Sequence, residues 1–260
     1  MPATLSCQVS GPRPENAPAV VLLGSLGSDR SMWDAQVRDL ARDHTVIAVD
    51  HRGHGGSDVI PGPCTIADLA GDVLALLDTL GVDRFHVVGL SLGGALAQWL
   101  AVHEPTRVGS AALLCTAARF GEPSAWVERA AAVRDGGTGA VADAVVARWI
   151  TPSRARQDPA LVDSVREMIL ATSAEGYGAA CDALSGWDGR ADLGRITCPT
   201  LVIAGDEDPS TPPDVVRELA AGIPGAEFLT LSPAAHVPTV EIPDRVTAVL
   251  RSHLSTHATA

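Results

Sequence analysis

The sequence predicts an α/β fold in which a mostly parallel central sheet is flanked by helices and interrupted by an inserted all-helical cap. Two observations carry this prediction. Short apolar runs typical of buried strands alternate with stretches that carry helix signals, and one long segment in the middle of the chain is helical without any strand. Such alternation predicts parallel strands, because each helix returns the chain to the same end of the sheet.

The strands are predicted where apolar runs are bounded by turn residues. In chain order they cover 19–24, 44–50, 84–90, 108–115, 199–205 and 227–232. Helix signals between and after these runs predict helices over 31–42, 65–80, 92–103 and 241–254. Thr65 can cap the second of these helices, and Gly81 lies where its C-terminus is expected.

The character of the sequence changes between the fourth and fifth predicted strands. Ala-rich stretches with helical patterning cover 124–135, 138–150, 159–172 and 176–185. We therefore expect residues 1–116 and 187–260 to form one α/β core. Residues 117–186, called the helical insertion below, are expected to form a cap over that core.

Composition and patterning indicate a globular protein with a large core. Hydrophobic residues make up 46% of the 260 residues and charged residues 19%. The N-terminus lacks a leader pattern and no run of about 18 apolar residues occurs, so we expect a cytoplasmic protein without a membrane partner. The five cysteines are scattered and form no CxxC pair, which indicates neither a disulfide framework nor a zinc site.

The charge distribution argues against nucleic acid and anionic membranes as partners. The net charge is −12, and all 19 basic residues are arginines that form no basic run. A negative envelope still permits an anionic small substrate, because exposed charges are screened over roughly 8 Å and a local arginine can dominate inside a pocket. The sequence leaves open whether the chain forms a homo-oligomer.

The segment Gly89-Leu90-Ser91-Leu92-Gly93 has the G-x-S-x-G pattern of a nucleophile elbow. It lies between a predicted strand and a predicted helix, which is the context that this motif requires. The two outer glycines are expected because a strained turn that lifts the serine above the sheet leaves no room for side chains. The alternative is a glycine-rich turn with an incidental serine. We predict Ser91 as the nucleophile.

A serine nucleophile needs a histidine base that a carboxylate holds in the right tautomer. Asp208 follows the predicted strand 199–205, and His236 follows the strand 227–232. The resulting chain order of Ser, Asp and His is the order of the α/β-hydrolase fold, so these residues are predicted to form a triad. Asp206 and Glu207 compete with Asp208 for the role of the acid, with Asp206 as the second choice.

Two backbone amides are expected to stabilise the oxyanion, those of Leu92 after the nucleophile and Leu26 after the first predicted strand.

His51 and His54 have a spacing that could suggest metal ligands. No third ligand accompanies them, so we predict buried, hydrogen-bonded histidines in a tight loop and no metal.

The motifs resemble the α/β-hydrolase superfamily and, within it, the 3-oxoadipate enol-lactonases of aromatic catabolism. The elbow GLSLGG and the acid loop GDEDPSTPP resemble the superfamily. The strings GSLGSDRSMWD, TAARFG, RWITP and TSAEGYGAACDAL resemble the lactonase branch. The lactonase resemblance rests on residues 116–185 together with Gly24-Ser25, which stands where many relatives of the superfamily carry His-Gly. The resemblance implies a serine hydrolase of the β-ketoadipate pathway that opens 3-oxoadipate enol-lactone to 3-oxoadipate, as protocatechuate and catechol are degraded. No cofactor is implied.

The substrate implied by the resemblance carries a carboxylate, for which the helical insertion offers arginines. Of Arg119, Arg129, Arg148 and Arg154, we expect Arg129 or Arg148 to bind it. The alternative is that each only covers a solvated helix face. Ser25, Trp126 and Trp149 are further candidates for substrate contact, and the tryptophans can equally be packing residues.

Two other functions fit the same motifs. One is a carboxylesterase or a cofactor-free haloperoxidase-type hydrolase with the same triad. The other is a ligand-binding protein that uses the hydrolase fold with little turnover.

Overall fold

The computed structural model describes residues 2–13 and 17–257, and its centre is a seven-stranded sheet. The strand order is β1-β3-β2-β4-β5-β6-β7, in which β1 pairs antiparallel with β3 and the other neighbours pair parallel. The strands are β1 (Cys7–Ser10), β2 (Ala19–Leu23), β3 (Thr45–Val49), β4 (Phe85–Leu90), β5 (Val108–Leu114), β6 (Thr200–Gly205) and β7 (Glu227–Leu231).

Helices cover both faces of the sheet and fill the chain between β5 and β6. In the described part of the chain they are α1 (Asp34–Leu40), α2 (Ile66–Thr79), α3 (Leu92–His103), α4 (Pro123–Gly136), α5 (Ala142–Trp149), α6 (Pro152–Gln157), α7 (Pro159–Ala171), α8 (Ala174–Ser185), α9 (Pro213–Gly222), α10 (Pro238–Glu241) and α11 (Pro243–Thr256).

The prediction of a mostly parallel α/β sheet is confirmed. Every residue of β2, β3, β4, β5 and β6 is buried. Alternate side chains enter two separate apolar clusters, with Val21 and Leu23 on one face of β2 and Val20 and Leu22 on the other. Strands covered on both faces have continuous apolar sequences, which is why they could be predicted.

The strand β1 was not predicted. It lies at the edge of the sheet, and its sequence CQVS combines two exposed central residues with two that are half-buried. A short edge strand needs no apolar run, because only its backbone has to pair with β3. Its antiparallel direction adds the one departure from parallel order.

Three predicted helices differ from the structure at their ends or inside. The predicted helix 31–42 is a short 3-10 turn, Arg30–Trp33, followed by α1. The predicted helix 138–150 is likewise split into a 3-10 turn, Thr138–Ala140, and α5. The last helix starts at Pro243 rather than at residue 241, since proline fits the first turn of a helix but not its interior.

The signals at the ends of α2 are confirmed. The Thr65 side chain accepts a hydrogen bond from the Asp68 amide, and the Asp68 carboxylate accepts one from the Thr65 amide, which is a complete capping box. At the other end Gly81 follows the C-cap residue with a φ of +67°, a conformation that favours glycine.

The helical insertion contains α4 to α8 and no strand. Its helix α6 was not predicted, because a segment of six residues is too short for a periodic pattern. The helix begins where Thr151 accepts a hydrogen bond from the Arg154 amide and Pro152 occupies the first turn. Within 2–13 and 17–257, no helix combines the length and apolar character needed to cross a bilayer.

Candidate active site

Ser91 lies at the sharp turn between β4 and α3. Its φ of 56° and ψ of −112° put a non-glycine residue in a strained conformation, which raises its hydroxyl above the end of the sheet. A β-carbon at Gly89 would lie 2.1 Å from the carbonyl oxygen of Gly93, and one at Gly93 would lie 2.1 Å from that of Leu23. Both positions therefore require glycine, as expected for a nucleophile elbow.

The side chains of Ser91, His236 and Asp208 meet above the carboxyl ends of the strands. His236 Nε2 lies 2.9 Å from Ser91 Oγ, and His236 Nδ1 lies 2.8 Å from Asp208 Oδ2. An ionised carboxylate can only accept, so Nδ1 carries the proton and leaves Nε2 free to accept from the serine hydroxyl. All three residues are buried. This is the geometry needed to activate a serine hydroxyl.

Asp208 is held by donors from its own loop. The Thr211 hydroxyl donates to Oδ2 at 2.7 Å, and the amides of Ser210 and Thr211 donate to Oδ1 at 2.8 and 3.2 Å. Burial alone would raise the pKa of Asp208, but the interaction with His236 and these hydrogen bonds outweigh it and hold the pKa below its ordinary value. The carboxylate is thus kept ionised beside the histidine.

Asp206, the alternative acid, does not contact the histidine. Its Oδ1 accepts a hydrogen bond from the Ala234 amide at 3.0 Å and so fixes the start of the loop that carries His236. Glu207, the other competitor, is exposed.

The loop that carries His236 is joined to the helical insertion through its backbone. The His236 amide donates to the carbonyl of Arg148 at 3.3 Å, and the Val237 amide donates to that of Trp149 at 3.1 Å. Both carbonyls lie at the end of α5. The position of the histidine therefore depends on a helix of the segment between β5 and β6.

Glu241 adds a second connection that sequence reasoning missed. Its buried carboxylate accepts from the Ala235 amide at 2.7 Å, and from the amide of Thr151 at 2.9 Å as well as its hydroxyl. The only sequence signal was an acidic residue between two apolar ones, Val240 and Ile242, in a segment that packs on the core.

The loop after β2 lies beside the turn that carries the nucleophile. Its Gly24 carbonyl accepts hydrogen bonds from the Gly93 amide at 3.0 Å and from His51 Nε2 at 2.9 Å. Leu26 in this loop lines the pocket described below, and Leu92 directly follows Ser91. Within 2–13 and 17–257, neither the Leu26 nor the Leu92 amide donates to a protein acceptor, so both are free to bind an oxyanion.

His51 and His54 are buried as the sequence predicted, and their rings meet edge to face. His54 Nδ1 lies 3.0 Å from the Arg52 carbonyl. Burial lowers the pKa of both rings, that of His54 to about 4, so each is neutral. The described residues contain no group of three or more side chains that could hold a metal ion.

A pocket of about 590 Å³ opens above Ser91 between the core and the helical insertion. Ser91 and His236 form part of its floor. All five residues predicted to contact substrate line it, namely Ser25, Trp126, Arg129, Arg148 and Trp149. Arg119 and Arg154 do not line it, and they pair instead with the acidic residues Glu122 and Asp158.

Arg129 and Arg148 bring positive charge to this pocket. Arg129 donates to the hydroxyl of Tyr177, and its guanidinium lies 5.3 Å from the ring centres of Trp126 and Tyr177. Arg148 is exposed at the end of α5. Among the ion pairs of the described residues, none involves either arginine. The one acidic residue in the pocket lining is Glu122, whose partner is Arg119.

Comparison with known proteins shows which family this chain belongs to. A family model described as alpha/beta hydrolase fold matches residues 18–241. The chain belongs to the α/β-hydrolase family. The resemblance to enol-lactonases is also confirmed, since the chain is 39% identical to 3-oxoadipate enol-lactonase 2 of Acinetobacter baylyi over 87% of this chain and 84% of that protein. Identity to 3-oxoadipate enol-lactonase 1 of the same organism is 36%, over 93% of this chain and 90% of that protein.

Solved structures of this α/β-hydrolase family superpose closely on the chain. The enol-lactonase from Burkholderia xenovorans LB400 has a TM-score of 0.94 and 40% identity, covering 97% of both chains. A thermophilic esterase from Thermogutta terrifontis, solved with malate bound, has a TM-score of 0.94 and 32% identity, covering 99% of this chain and 95% of that one. The expected class, a hydrolase acting on ester bonds, agrees with both neighbours.

Proposed function

We propose that the protein is a serine hydrolase that opens the ring ester of 3-oxoadipate enol-lactone and releases 3-oxoadipate, in the β-ketoadipate pathway of protocatechuate and catechol catabolism. One observation carries the proposal. Two arginines that form no ion pair with any described residue line the pocket above the Ser91–His236 pair, in a chain 36–40% identical to enol-lactonases. The five free cysteines, three of them buried, support a reducing compartment such as the cytoplasm.

In the first half of the reaction, Ser91 Oγ attacks the ring carbonyl while His236 Nε2 takes the hydroxyl proton. Asp208 holds the ring of His236 and stabilises its charged form. The oxyanion of the tetrahedral intermediate accepts hydrogen bonds from the amides of Leu26 and Leu92, each worth about 3–4 kcal/mol of transition-state stabilisation. The bond from the carbonyl carbon to the ring oxygen then breaks, and His236 returns the proton to the departing enol oxygen.

In the second half, water cleaves the acyl-enzyme through the same base. The enol stays tethered after ring opening, and its tautomerisation to the ketone removes the group that could close the ring again. His236 takes a proton from water as the hydroxide adds to the ester carbonyl, and then returns it to Ser91 Oγ. The product leaves as the free acid, and these steps use no cofactor.

The carboxylate of the substrate is bound by Arg129 or Arg148. A guanidinium that lacks an acidic partner retains its full charge for a ligand, and its planar donors match a carboxylate in a bidentate arrangement. Trp126, Trp149 and Ser25 also line the pocket. This arrangement favours a small anionic lactone over a neutral ester.

The decisive assay follows the ultraviolet loss of the enol-lactone, generated in situ by the enzyme that precedes it. We expect kcat/KM for the anionic lactone to exceed that for neutral p-nitrophenyl esters by at least about tenfold, because one charge-assisted hydrogen bond supplies that much discrimination. Turnover of neutral esters alone would instead assign the protein as a carboxylesterase or a haloperoxidase-type hydrolase.

A further inference from the structure

Tyr177 is a fully buried phenol in α8 that contacts the positive side of the pocket. Its exposed fraction is 0%, and its hydroxyl accepts a hydrogen bond from Arg129 Nη2. The guanidinium of Arg129 lies 5.3 Å from the ring centre of Tyr177 and 5.3 Å from that of Trp126. Within 2–13 and 17–257, this is the one hydrogen bond that the Arg129 side chain makes.

Arg129 lies in α4 and Tyr177 in α8, and a second arginine in α4 contacts α8 through different partners. Arg134, also in α4, lies 2.6 Å from an oxygen of Asp182 and 3.6 Å from one of Glu175, both in α8. Carboxylates therefore neutralise Arg134 at the outer side of the helix pair. Tyr177 is different, because burial raises the pKa of its phenol, which stays uncharged beside Arg129. It orients the cation without cancelling its charge.

The ring of Tyr177 also packs against the loop that carries Leu26. A β-carbon at Gly27 would lie 2.9 Å from Tyr177 Cε2, so the backbone of the loop rests directly on the ring. Gly27 has a φ of +85°, which favours glycine at this contact. The side chain of Tyr177 therefore contacts both the guanidinium of Arg129 and the loop that carries Leu26, which is called the oxyanion loop below.

We infer that Tyr177 is a positioning residue that fixes the distance between the carboxylate-binding guanidinium of Arg129 and the oxyanion loop, and thereby selects substrates by the separation of their carboxylate and ester carbonyl. The inference rests on the proposed function, because it assumes that Arg129 receives a carboxylate. It names the substrate class more narrowly, as anionic esters and lactones of one chain length.

The test uses monomethyl esters of succinic, glutaric, adipic and pimelic acids, with hydrolysis followed by proton release. The wild type should have its lowest KM at one chain length. Tyr177→Phe keeps the ring on Gly27 and removes only the hydroxyl. We expect it to raise that lowest KM about tenfold and to reduce the differences across the series, with kcat within about threefold. Hydrolysis of neutral p-nitrophenyl acetate should keep its kcat/KM within about twofold.

Arg134→Gln is the matched control, because it removes the ion pairs that the second arginine makes between α4 and α8, and Arg134 does not line the pocket. It should leave the KM series as in the wild type. If the wild type opens the enol-lactone and Tyr177→Phe leaves the series unchanged, the role of Tyr177 is wrong and the proposed function stands. An equal loss on anionic and neutral esters also overturns the inference, since it indicates a purely structural role. A wild type without activity on the enol-lactone overturns the proposed function itself, and the inference with it.

Discussion

The buried carboxylate of Glu241 accepts a hydrogen bond from the amide of Thr151 at 2.9 Å, across 90 residues of sequence. The same carboxylate accepts from the amide of Ala235, the residue before His236. The relationship joins the helical insertion to the loop that supplies the base.

Glu241→Gln is expected to loosen this connection. The amide group of glutamine offers one acceptor oxygen where the carboxylate has two, so a donor at Ala235 or Thr151 is left unpaired in a buried site. We expect the free energy of unfolding to fall by about 1–3 kcal/mol, and kcat to fall with it as His236 loses its fixed position. Urea denaturation and steady-state kinetics measure the two effects. Glu218→Gln, an exposed substitution in α9, is the control, and equal behaviour of both variants would contradict the prediction.

Ser91→Ala tests the nucleophile. We expect kcat to fall at least about a thousandfold, because binding and the oxyanion amides alone retain only a small part of the rate. The exposed Ser252→Ala serves as the control. A serine-reactive phosphonate should label Ser91 in the wild type, as detected by mass spectrometry. Near-normal turnover of Ser91→Ala would point to direct attack by water, and an unlabelled Ser91 in folded protein would favour a ligand-binding role.

Arg129→Gln and Arg148→Gln separate the two candidate carboxylate ligands. We expect Arg129→Gln to raise KM for the enol-lactone by about 10- to 100-fold, since its guanidinium is half-buried and less screened by solvent. Arg148 is exposed, so Arg148→Gln should raise KM by a smaller factor. Arg119→Gln, which lies outside the pocket lining, should leave KM unchanged. A larger effect at Arg148 than at Arg129 would reverse the assignment.

The buried ring of His54 predicts a stability that depends on pH. Burial lowers its pKa to about 4, with a further lowering from His51. An unfolded histidine titrates near about 6.5, so between these values the unfolded chain binds the proton and the folded chain does not. The contribution is therefore lost as the pH falls through this window. We expect His54 to account for about 2 kcal/mol of the decrease in unfolding free energy from about pH 7 to pH 5.

His54→Gln should flatten that pH dependence when urea denaturation is repeated at each pH. Its control is His103→Gln, because His103 is exposed at the end of α3. If His54→Gln and His103→Gln both keep the wild-type slope of unfolding free energy against pH, burial of His54 does not link protonation to folding.

The fold and the meeting of Ser91, Asp208 and His236 could be predicted because local sequence patterns mark the strands and the turns that follow them. Strands buried on two faces have apolar sequences, and G-x-S-x-G marks its own turn. The meeting of Ser91 and His236, 145 residues apart, follows from the rule that loops after parallel strands share one edge. The chain order of the residues, taken together with this rule, was enough to infer that meeting.

Contacts made by side-chain direction could not be predicted in this way. The pairing of Arg129 with Tyr177 across 48 residues depends on how α4 and α8 are turned against each other, and no local pattern sets that angle. The choice between Asp208 and Asp206 also depends on side-chain direction. Both residues follow the same strand, and only the turn between them decides which one faces the histidine.

The hydrogen bonds from the His236 loop to Arg148 and Trp149 limit how this protein can be recombined with its relatives. A chimera that takes its helical insertion from another protein also replaces the residues whose carbonyls hold the His236 loop. Residues 148–151 and 234–241 therefore depend on each other structurally, although they are far apart in the sequence. Engineers who exchange the segment to change substrate range should transfer both pieces together.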